Sequence, residues 1–521
     1  MSALSTRPYL IEEYTRTVCP QCFAERPRRS DEEGVFIDGM LVSHGGRVWM
    51  RRYCPVHGES ESLYEENVDI WRARCGWSTP TLNITPDRPG NFAGFPDGYR
   101  EGLPASHGQH TCILLLNVTD RCNYSCPTCY ASALPPGTPA IRPDSPSIDE
   151  VLRAVDAALS REDGKLGVVM LSGGEPTVRE DIQELMERVM ERNITRVMLN
   201  TNGRRIARDD RFLKFLNLHR QKIEVYLQFD GFRASTYEKL RGENVAAEKL
   251  NALRRLDEAK VFTTLVMTVA KGINDNELGE VIALGLDTPR CAGIAIQPMF
   301  GSGRTPTYDP LDRVTPTGVL SRLGEQTNGQ LTADSFIPLP CSHKDCCDIS
   351  YLIRTGDGSW RSLPSLIGRE ELRKWIGLVS NTISFETASD GIKELVKGGV
   401  LQRVFSGQPR AGPFGLAYDV IRMCDCVPGV LELIGGIMDK VGKNRLEEMA
   451  ERTFRVTCKM FMDAHTFHEA RIRQCCVHVG TFEEDPRRYS FCWRWLFEEA
   501  SDFPSKNFPG RNLTPLPLAA S

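Results

Sequence analysis

Residues 112–130 read CILLLNVTDRCNYSCPTCY, an apolar run followed almost at once by three cysteines, Cys122, Cys126 and Cys129. The run 112–118 is too short to cross a membrane and has the length of a buried strand. The cysteines then fall on the loop at the C-terminal end of that strand. Three thiolates on one short loop can bind three irons of a cubane and leave the fourth open to a small molecule, unlike a ferredoxin cluster with four Cys ligands. The CxxxCxxC spacing also differs from that of zinc, which takes CxxC pairs in twos.

Outward from that loop, β-rich runs recur at 167–171, 195–200, 224–229, 263–268 and 293–297. Between them, 147–160, 179–192, 209–218, 246–260 and 275–286 carry apolar residues at helical spacing. Five helices between six strands predict a parallel (β/α)6 sheet, an α/β fold. Right-handed crossovers curl such a sheet into a partial TIM-like barrel, with its chemistry at the C-terminal strand ends. Those ends carry Ser172-Gly173-Gly174-Glu175-Pro176, then Asn200-Thr201-Asn202-Gly203, then Gln228-Phe229-Asp230-Gly231. Two successive glycines allow the main chain to approach a ligand closely. Taken singly, Asn-Gly and Asp-Gly are common turns. Their repetition at successive strand ends points polar groups into one mouth.

The rest of the chain divides by composition. Residues 1–75 are rich in Cys, Arg and aromatics, 76–110 read as a linker, 111–310 form the barrel core, 311–502 are Cys-rich, and 503–521 form a Pro-rich tail. The 521 residues include 18 Cys, and the net charge of −4 gives no reason to expect nucleic acid. With no apolar segment in 1–10 to direct export, clustered cysteines imply metal or redox chemistry in a reducing cytoplasm. No run reaches the ~18 apolar residues of a membrane span. A peripheral position on a membrane and a membrane-derived substrate stay compatible with the sequence.

Cys19-Pro-Gln-Cys22 and Cys54-Pro-Val-His57 form two knuckles that can close a tetrahedron around zinc or iron, with Cys75 an alternative to His57. The C-terminal part holds Cys341, Cys346, Cys347, Cys424, Cys426, Cys458, Cys475, Cys476 and Cys492. Free Cys is often a small buried residue, so some of these are expected not to be ligands. His343, His465, His468 and His478 lie among them and read as hydrogen-bonding neighbours. Asp463 reads either as a helix cap or as a substrate or cluster contact.

The cysteine loop and the strand-end motifs resemble the radical S-adenosylmethionine (SAM) superfamily. The resemblance implies a [4Fe-4S] cluster on Cys122, Cys126 and Cys129, with SAM on the open iron. It implies that Gly173, Gly174, Glu175 and Pro176 hold the SAM amino group and that Asn200, Asn202, Gln228 and Asp230 line the mouth. The family often has an aromatic residue just before the third Cys; here that position is Thr128, and Tyr130 is the candidate neighbour of adenine. CNYSCPTCYA, YLQFDG, LRG (240–242), TVAKGINDNELG (268–279), QPMFGSGR (297–304), PCSHKDC (340–346) and FMDAHTFHEARIRQCCVH (461–478) are similar to the subgroup of the archaeal tetraether lipid synthase and class D radical methylases. That subgroup implies a rubredoxin-like site at the N-terminus and one or two auxiliary [4Fe-4S] clusters. Cys341, Cys346, Cys475 and Cys492 are the expected first set, and Cys476, Cys347, Cys424, Cys426 and Cys458 are candidates for a second. The expected activity is hydrogen abstraction by a 5′-deoxyadenosyl radical, then C–C bond formation or C-methylation of a lipid-like substrate. The electron would come from a donor such as ferredoxin or flavodoxin. A radical SAM peptide maturase and a non-catalytic iron–sulfur redox protein are the competing readings; the latter would bind no SAM.

Overall fold

Four strands, β1 (Leu10–Val18), β2 (Phe36–His44), β3 (Arg47–Cys54) and β4 (Gly58–Glu65), form an antiparallel meander at the N-terminus. The computed structural model describes residues 8–25, 35–77, 81, 83–138, 145–305, 308–339, 341–355, 358–369 and 452–497. Cys424, Cys426 and the tail 503–521 lie outside the described residues.

The six expected strands are β5 (Ile113–Asn117), β6 (Leu166–Ser172), β7 (Ile194–Thr201), β8 (Ile223–Gln228), β9 (Thr263–Val269) and β10 (Cys291–Pro298), paired in parallel in chain order. Helices Ile148–Arg161, Ile182–Met190, Asp210–Leu218, Ala246–Glu258 and Leu278–Asp287 fill the connections. Ser147 starts the first of them with a capping box, its hydroxyl accepting from Glu150 N–H while Glu150 accepts from Ser147 N–H. Strand side chains alternate between two cores. Leu114, Leu116, Val169, Leu171, Val197, Leu199, Val225 and Leu227 face the helices. Ile113, Leu115, Met170, Met198, Tyr226, Val266 and Ala295 face the barrel interior.

The C-terminal part is woven into this same sheet, whereas its composition had set it apart as 311–502. β11 (Ile337–Pro338), β12 (Cys347–Arg354), β13 (Trp360–Ser362) and β14 (Thr453–Lys459) extend one edge, with β14 parallel to β10. β15 (Val477–Gly480) lies parallel to β5 on the opposite edge and carries β16 (Arg488–Ser490). Both edges contribute to the interior core, so the sheet curls around it. The N-terminal strand ends are sealed by charge: Glu224 accepts from Arg455 at 2.8 Å and from Thr264 at 2.6 Å, with Arg196 3.8 Å away.

A buried network docks the N-terminal sheet against the barrel. The Arg74 guanidinium lies 2.6 Å from Glu65 and 2.5 Å from Asp348, with all three residues excluded from solvent. Removing one partner strands the others as buried charges. Arg74→Met is expected to lower unfolding stability by about 3–5 kcal/mol in urea titration, and a loss under 1 kcal/mol would contradict it.

Candidate cluster and cofactor site

The loop that carries Cys122, Cys126 and Cys129 is held from three sides. Gly174 N–H donates to Thr119 O at 2.7 Å, and Glu175 N–H donates to Arg121 O at 2.8 Å. A Cβ on Gly173 or Gly174 would collide with the Thr119 and Arg121 carbonyls. The two glycines therefore admit the backbone of the cysteine loop itself. From the second side, Arg304 N–H donates to Cys129 O at 2.9 Å, and the Arg304 guanidinium bonds Ala133 O. From the third, Thr128 Oγ1 donates to Leu240 O at 2.8 Å and Asn202 Nδ2 donates to Asn123 Oδ1 at 2.6 Å.

The three thiols share one half-buried space. Burial pushes the Cys122 thiol up to about 12, and Glu175, Cys126 and Cys129 add to that. Burial likewise raises Cys126, against the nearby Arg241 guanidinium. Thiols that resist ionising alone are ones whose thiolates bound cations would stabilise. Their sulfurs are not among the described groups that close to within 4.8 Å, as the ligands of one ion do. A cubane holds its thiolates wider apart than a single ion does, so these residues fit a cluster.

The other expected contacts divide. Glu175 is buried and its carboxylate accepts from Thr177 N–H, Thr177 Oγ1, Thr201 Oγ1 and Asn202 N–H, which ties two strand ends together. Asp230 has no exposed surface, and its oxygens accept from Arg241, Gln228 and Thr268 N–H. It thus holds Arg241 beside Cys126. Asn200 and Gln228 are half-buried on the interior side, and Asn200 donates to Ser172 Oγ at 2.9 Å. Tyr130 stands in an aromatic layer with Phe300, Phe491 and Trp495. Asp463 is neither a cap nor exposed to a ligand. Burial alone would raise its carboxyl, but Arg313 at 2.8 Å, His465 and Tyr308 hold it well below the usual range. It accepts from Gly301 N–H and so anchors the segment that clamps Cys129.

At the N-terminus Cys19, Cys22, Cys54 and His57 converge with all four ligand atoms within 4.8 Å of one another. Cys22 and Cys54 sulfurs are 3.7 Å apart, and His57 Nδ1 is 3.3 Å from Cys22 and 3.7 Å from Cys54. A tetrahedral ion with metal–sulfur bonds of ~2.3 Å sets its sulfurs about 3.7 Å apart. Against burial, the backbone N–H groups of His57 and Val56 draw the Cys54 thiol down to about 7. His57 Nε2 pairs with Glu25 at 3.0 Å, which fixes the tautomer that leaves Nδ1 for metal. Cys75 lies on the surface and is not in this group. Cys54→Ser is expected to remove about one metal ion per chain by elemental analysis while iron–sulfide content stays unchanged. Retention of that ion would contradict the assignment.

Residues 116–285 match the profile described as the radical SAM superfamily. That segment carries a radical SAM domain. Residues 11–66 match the HMPTM N-terminal zinc ribbon domain. A 7,8-dihydro-6-hydroxymethylpterin dimethyltransferase of Methanocaldococcus jannaschii is 26% identical over 509 residues, covering 92% of this chain and 93% of that one. A GTP 3′,8-cyclase of Actinobacillus succinogenes is 30% identical over 178 residues, covering 34% of this chain and 50% of its own. The solved structure of Streptococcus suis SuiB bound to SAM covers 42% of this chain and 47% of its own, with 17% identity and a TM-score of 0.35.

As a radical SAM enzyme the protein uses a [4Fe-4S] cluster and SAM, and it carries further cysteine sites. Cys112, Cys341 and Cys476 converge, fully buried, within 4.8 Å, and Cys341 and Cys476 sulfurs are 3.7 Å apart. Cys112 was missed from sequence: it is a lone Cys at a strand start, and only the pairing of β15 with β5 brings it to Cys476. Cys341, expected beside Cys346, belongs to this group instead. Cys347 lies close enough to influence Cys341 and faces the barrel interior. Cys346, Cys475 and Cys492 form a second, wider group: burial lifts Cys492 to about 12, and Cys475 and Cys346 add to that. Cys476 belongs to the first group, and Cys475 bears on Cys492. Cys458 packs among the helix-facing apolar residues. His343 and His468 approach Glu13. His343 Nδ1 accepts from Asp345 N–H at 3.3 Å, and Lys344 sits 3.2 Å from Glu13. That arrangement is a hydrogen-bonded charge network, with the competing cation already present. His478 pairs with His107 at 3.1 Å, and the His465 carbonyl accepts from Arg52 at 2.9 Å. Among the described residues no helix is long and apolar enough to cross a membrane.

Proposed function

We propose that this radical SAM enzyme C-methylates a reduced, pterin-like heterocycle, in place of the long apolar substrate favoured by sequence. The observation that carries this reading is the polarity of the barrel interior. By strand alternation, Asn200, Gln228, Gln297 and Lys459 fall on the same side as Met198, Tyr226 and Ala295. An alkyl chain in that space would offer nothing to the Lys459 ammonium or to the amide oxygens of Asn200 and Gln228, whose amide nitrogens are held by Ser172 and by Asp230 and Val266. A heterocycle rich in nitrogen and oxygen offers them partners, and Tyr226 offers a ring to stack on. The similarity of almost the whole chain to a hydroxymethylpterin dimethyltransferase supports the same choice.

In this reading Cys122, Cys126 and Cys129 hold the SAM-binding cluster. Cys19, Cys22, Cys54 and His57 hold a structural metal ion. Cys346, Cys475 and Cys492 serve one auxiliary cluster, and Cys112, Cys341 and Cys476 a second metal site. When bound, the cluster and SAM supply a radical able to take hydrogen from an unactivated carbon. The chain orients the reactants, and the curled sheet with its charged Glu224–Arg455 floor keeps water from them. A one-electron donor of the ferredoxin or flavodoxin class supplies the reducing equivalent.

The test incubates reconstituted enzyme anaerobically with dithionite, SAM and 7,8-dihydro-6-hydroxymethylpterin. The expected result, with a second SAM or an added one-carbon donor supplying each methyl, is 5′-deoxyadenosine together with a pterin heavier by one or two methyl groups in mass spectrometry, and one S-adenosylhomocysteine per methyl where SAM is the donor. 5′-Deoxyadenosine formed with lipid extract and not with the pterin would overturn the substrate assignment and return the lipid reading.

A further inference from the structure

Arg471 lies on the short helix Glu469–Arg473, four residues before Cys475, and is 3% exposed. Its Nε–H donates to Cys346 Sγ at 3.5 Å, and its Nη2 donates to Met460 O. Among the described residues no carboxylate lies within ion-pair distance of it. Its neighbours Arg473, Arg74 and Arg313 each have one, at Glu469, Glu65 and Asp463. A buried guanidinium without an anion carries a desolvation penalty of several kcal/mol. The ionisable groups that face Arg471 are the thiols of Cys346 and Cys492 and the phenol of Tyr64. Asp345, the acidic residue next to Cys346, is turned to Lys344 and Tyr64.

We infer that Arg471 is the charge partner of the cluster on Cys346, Cys475 and Cys492 and sets its reduction potential upward. This inference rests on the auxiliary-cluster reading above. A cluster bound by thiolates is negative and becomes more so when it accepts an electron, so a fixed cation favours the reduced form. A hydrogen bond to a ligand sulfur acts in the same direction. Arg471 is a positioning residue: it touches a ligand sulfur and no reacting atom. The balanced step is addition of one electron from the external donor, with no bond made or broken and no proton required. Through this cation, the chain makes the auxiliary site a better acceptor than a bare set of cysteines would be.

The experiment compares wild type, Arg471→Met, Arg471→Lys and Cys346→Ser/Cys475→Ser/Cys492→Ser, each reconstituted anaerobically. Iron and sulfide are counted first, and EPR-monitored redox titration follows. The triple-serine variant is expected to lose one cluster's iron and one EPR signal. Arg471→Met is expected to keep its iron, while that same signal titrates lower, by about a tenfold change in the one-electron equilibrium, or ~59 mV. Arg471→Lys is expected to recover most of the shift. If Arg471→Met loses the cluster and Arg471→Lys keeps it, the charge is needed for assembly and the inference stands. If both lose it, or if Arg471→Met keeps both the cluster and the wild-type potential, the inference is overturned. If the triple-serine variant keeps all iron and every signal, the cluster reading itself falls and takes the inference with it.

Discussion

A Cys122→Ala/Cys126→Ala/Cys129→Ala variant is expected to form 5′-deoxyadenosine only at the no-enzyme background, while its N-terminal metal ion and its stability stay close to wild type. The three side chains are half-buried on a loop whose position is set by backbone bonds from Gly174, Glu175 and Arg304, none of which uses a sulfur. Truncation to alanine therefore removes the ligands and two long N–H···S contacts, from Tyr124 to Cys122 and from Ala133 to Cys129, while the bonds from outside the loop remain. The other described cysteine groups are held elsewhere, on the N-terminal knuckles, beside β5, β12 and β15, and on helix Phe491–Phe497, so they are not expected to substitute. The control is the metal count. Loss of one cluster's iron with retention of the N-terminal ion localises the defect. Wild-type turnover by the variant would place the SAM-binding cluster elsewhere and contradict the central assignment. Loss of all metal with a lowered urea midpoint would show instead that the loop cysteines support the fold, and the single Cys126→Ser variant would then separate the two roles.

Much of this was legible because it is local. β5 through β10 follow from short apolar runs with helical patterns between them, and a strand followed by CxxxCxxC fixes where the cysteines sit. The knuckles Cys19–Cys22 and Cys54–His57 follow from spacing alone, and their convergence needs only the β-meander between them. What was not legible depends on pairing across hundreds of residues. β14 and β15 join opposite edges of the sheet, so Cys112 meets Cys341 and Cys476, and Cys341 parts from Cys346. No periodicity within 311–502 encodes those partners. Glu175 reads as a SAM contact through the likeness to GGEP, and Asp230 as a mouth residue through the polar groups at successive strand ends. Which donors consume their oxygens is decided by Thr201, Asn202 and Arg241, contributed by other elements. In the sequence the segment QPMFGSGR carries only a likeness, although its glycine and arginine secure the cysteine loop.

That last segment carries the second large effect. Gly303 has φ of +60°, and a Cβ there would fall inside contact range of the Tyr130 and Cys129 carbonyl oxygens. Two penalties combine: an L-residue in the left-handed region costs ~1–2 kcal/mol, and the clash is with backbone, which cannot rotate away. The strain is relieved most simply by moving the loop at Cys129, because Gly301 on the other side is pinned by Asp463. Displacing a reacting geometry by about 1 Å can cost ~10²-fold in rate. Gly303→Ala is therefore expected to lower 5′-deoxyadenosine formation by about 10²-fold, with loss of iron from the SAM-binding site and the N-terminal ion retained. Arg304→Met should act in the same direction and more weakly, since it removes hydrogen bonds to the Ala133 and Cys126 carbonyls without adding a clash. Anaerobic SAM-cleavage assays with iron counts on the two variants decide the matter. If Gly303→Ala is as active as wild type, the clamp from the end of β10 is not what positions the third cysteine, and the bonds from Gly174 and Glu175 hold the loop alone. If Gly303→Ala is inactive yet fully loaded with iron, the displaced atoms are those that meet SAM, which would bring Tyr130, whose carbonyl the new methyl group strikes, into the cofactor site.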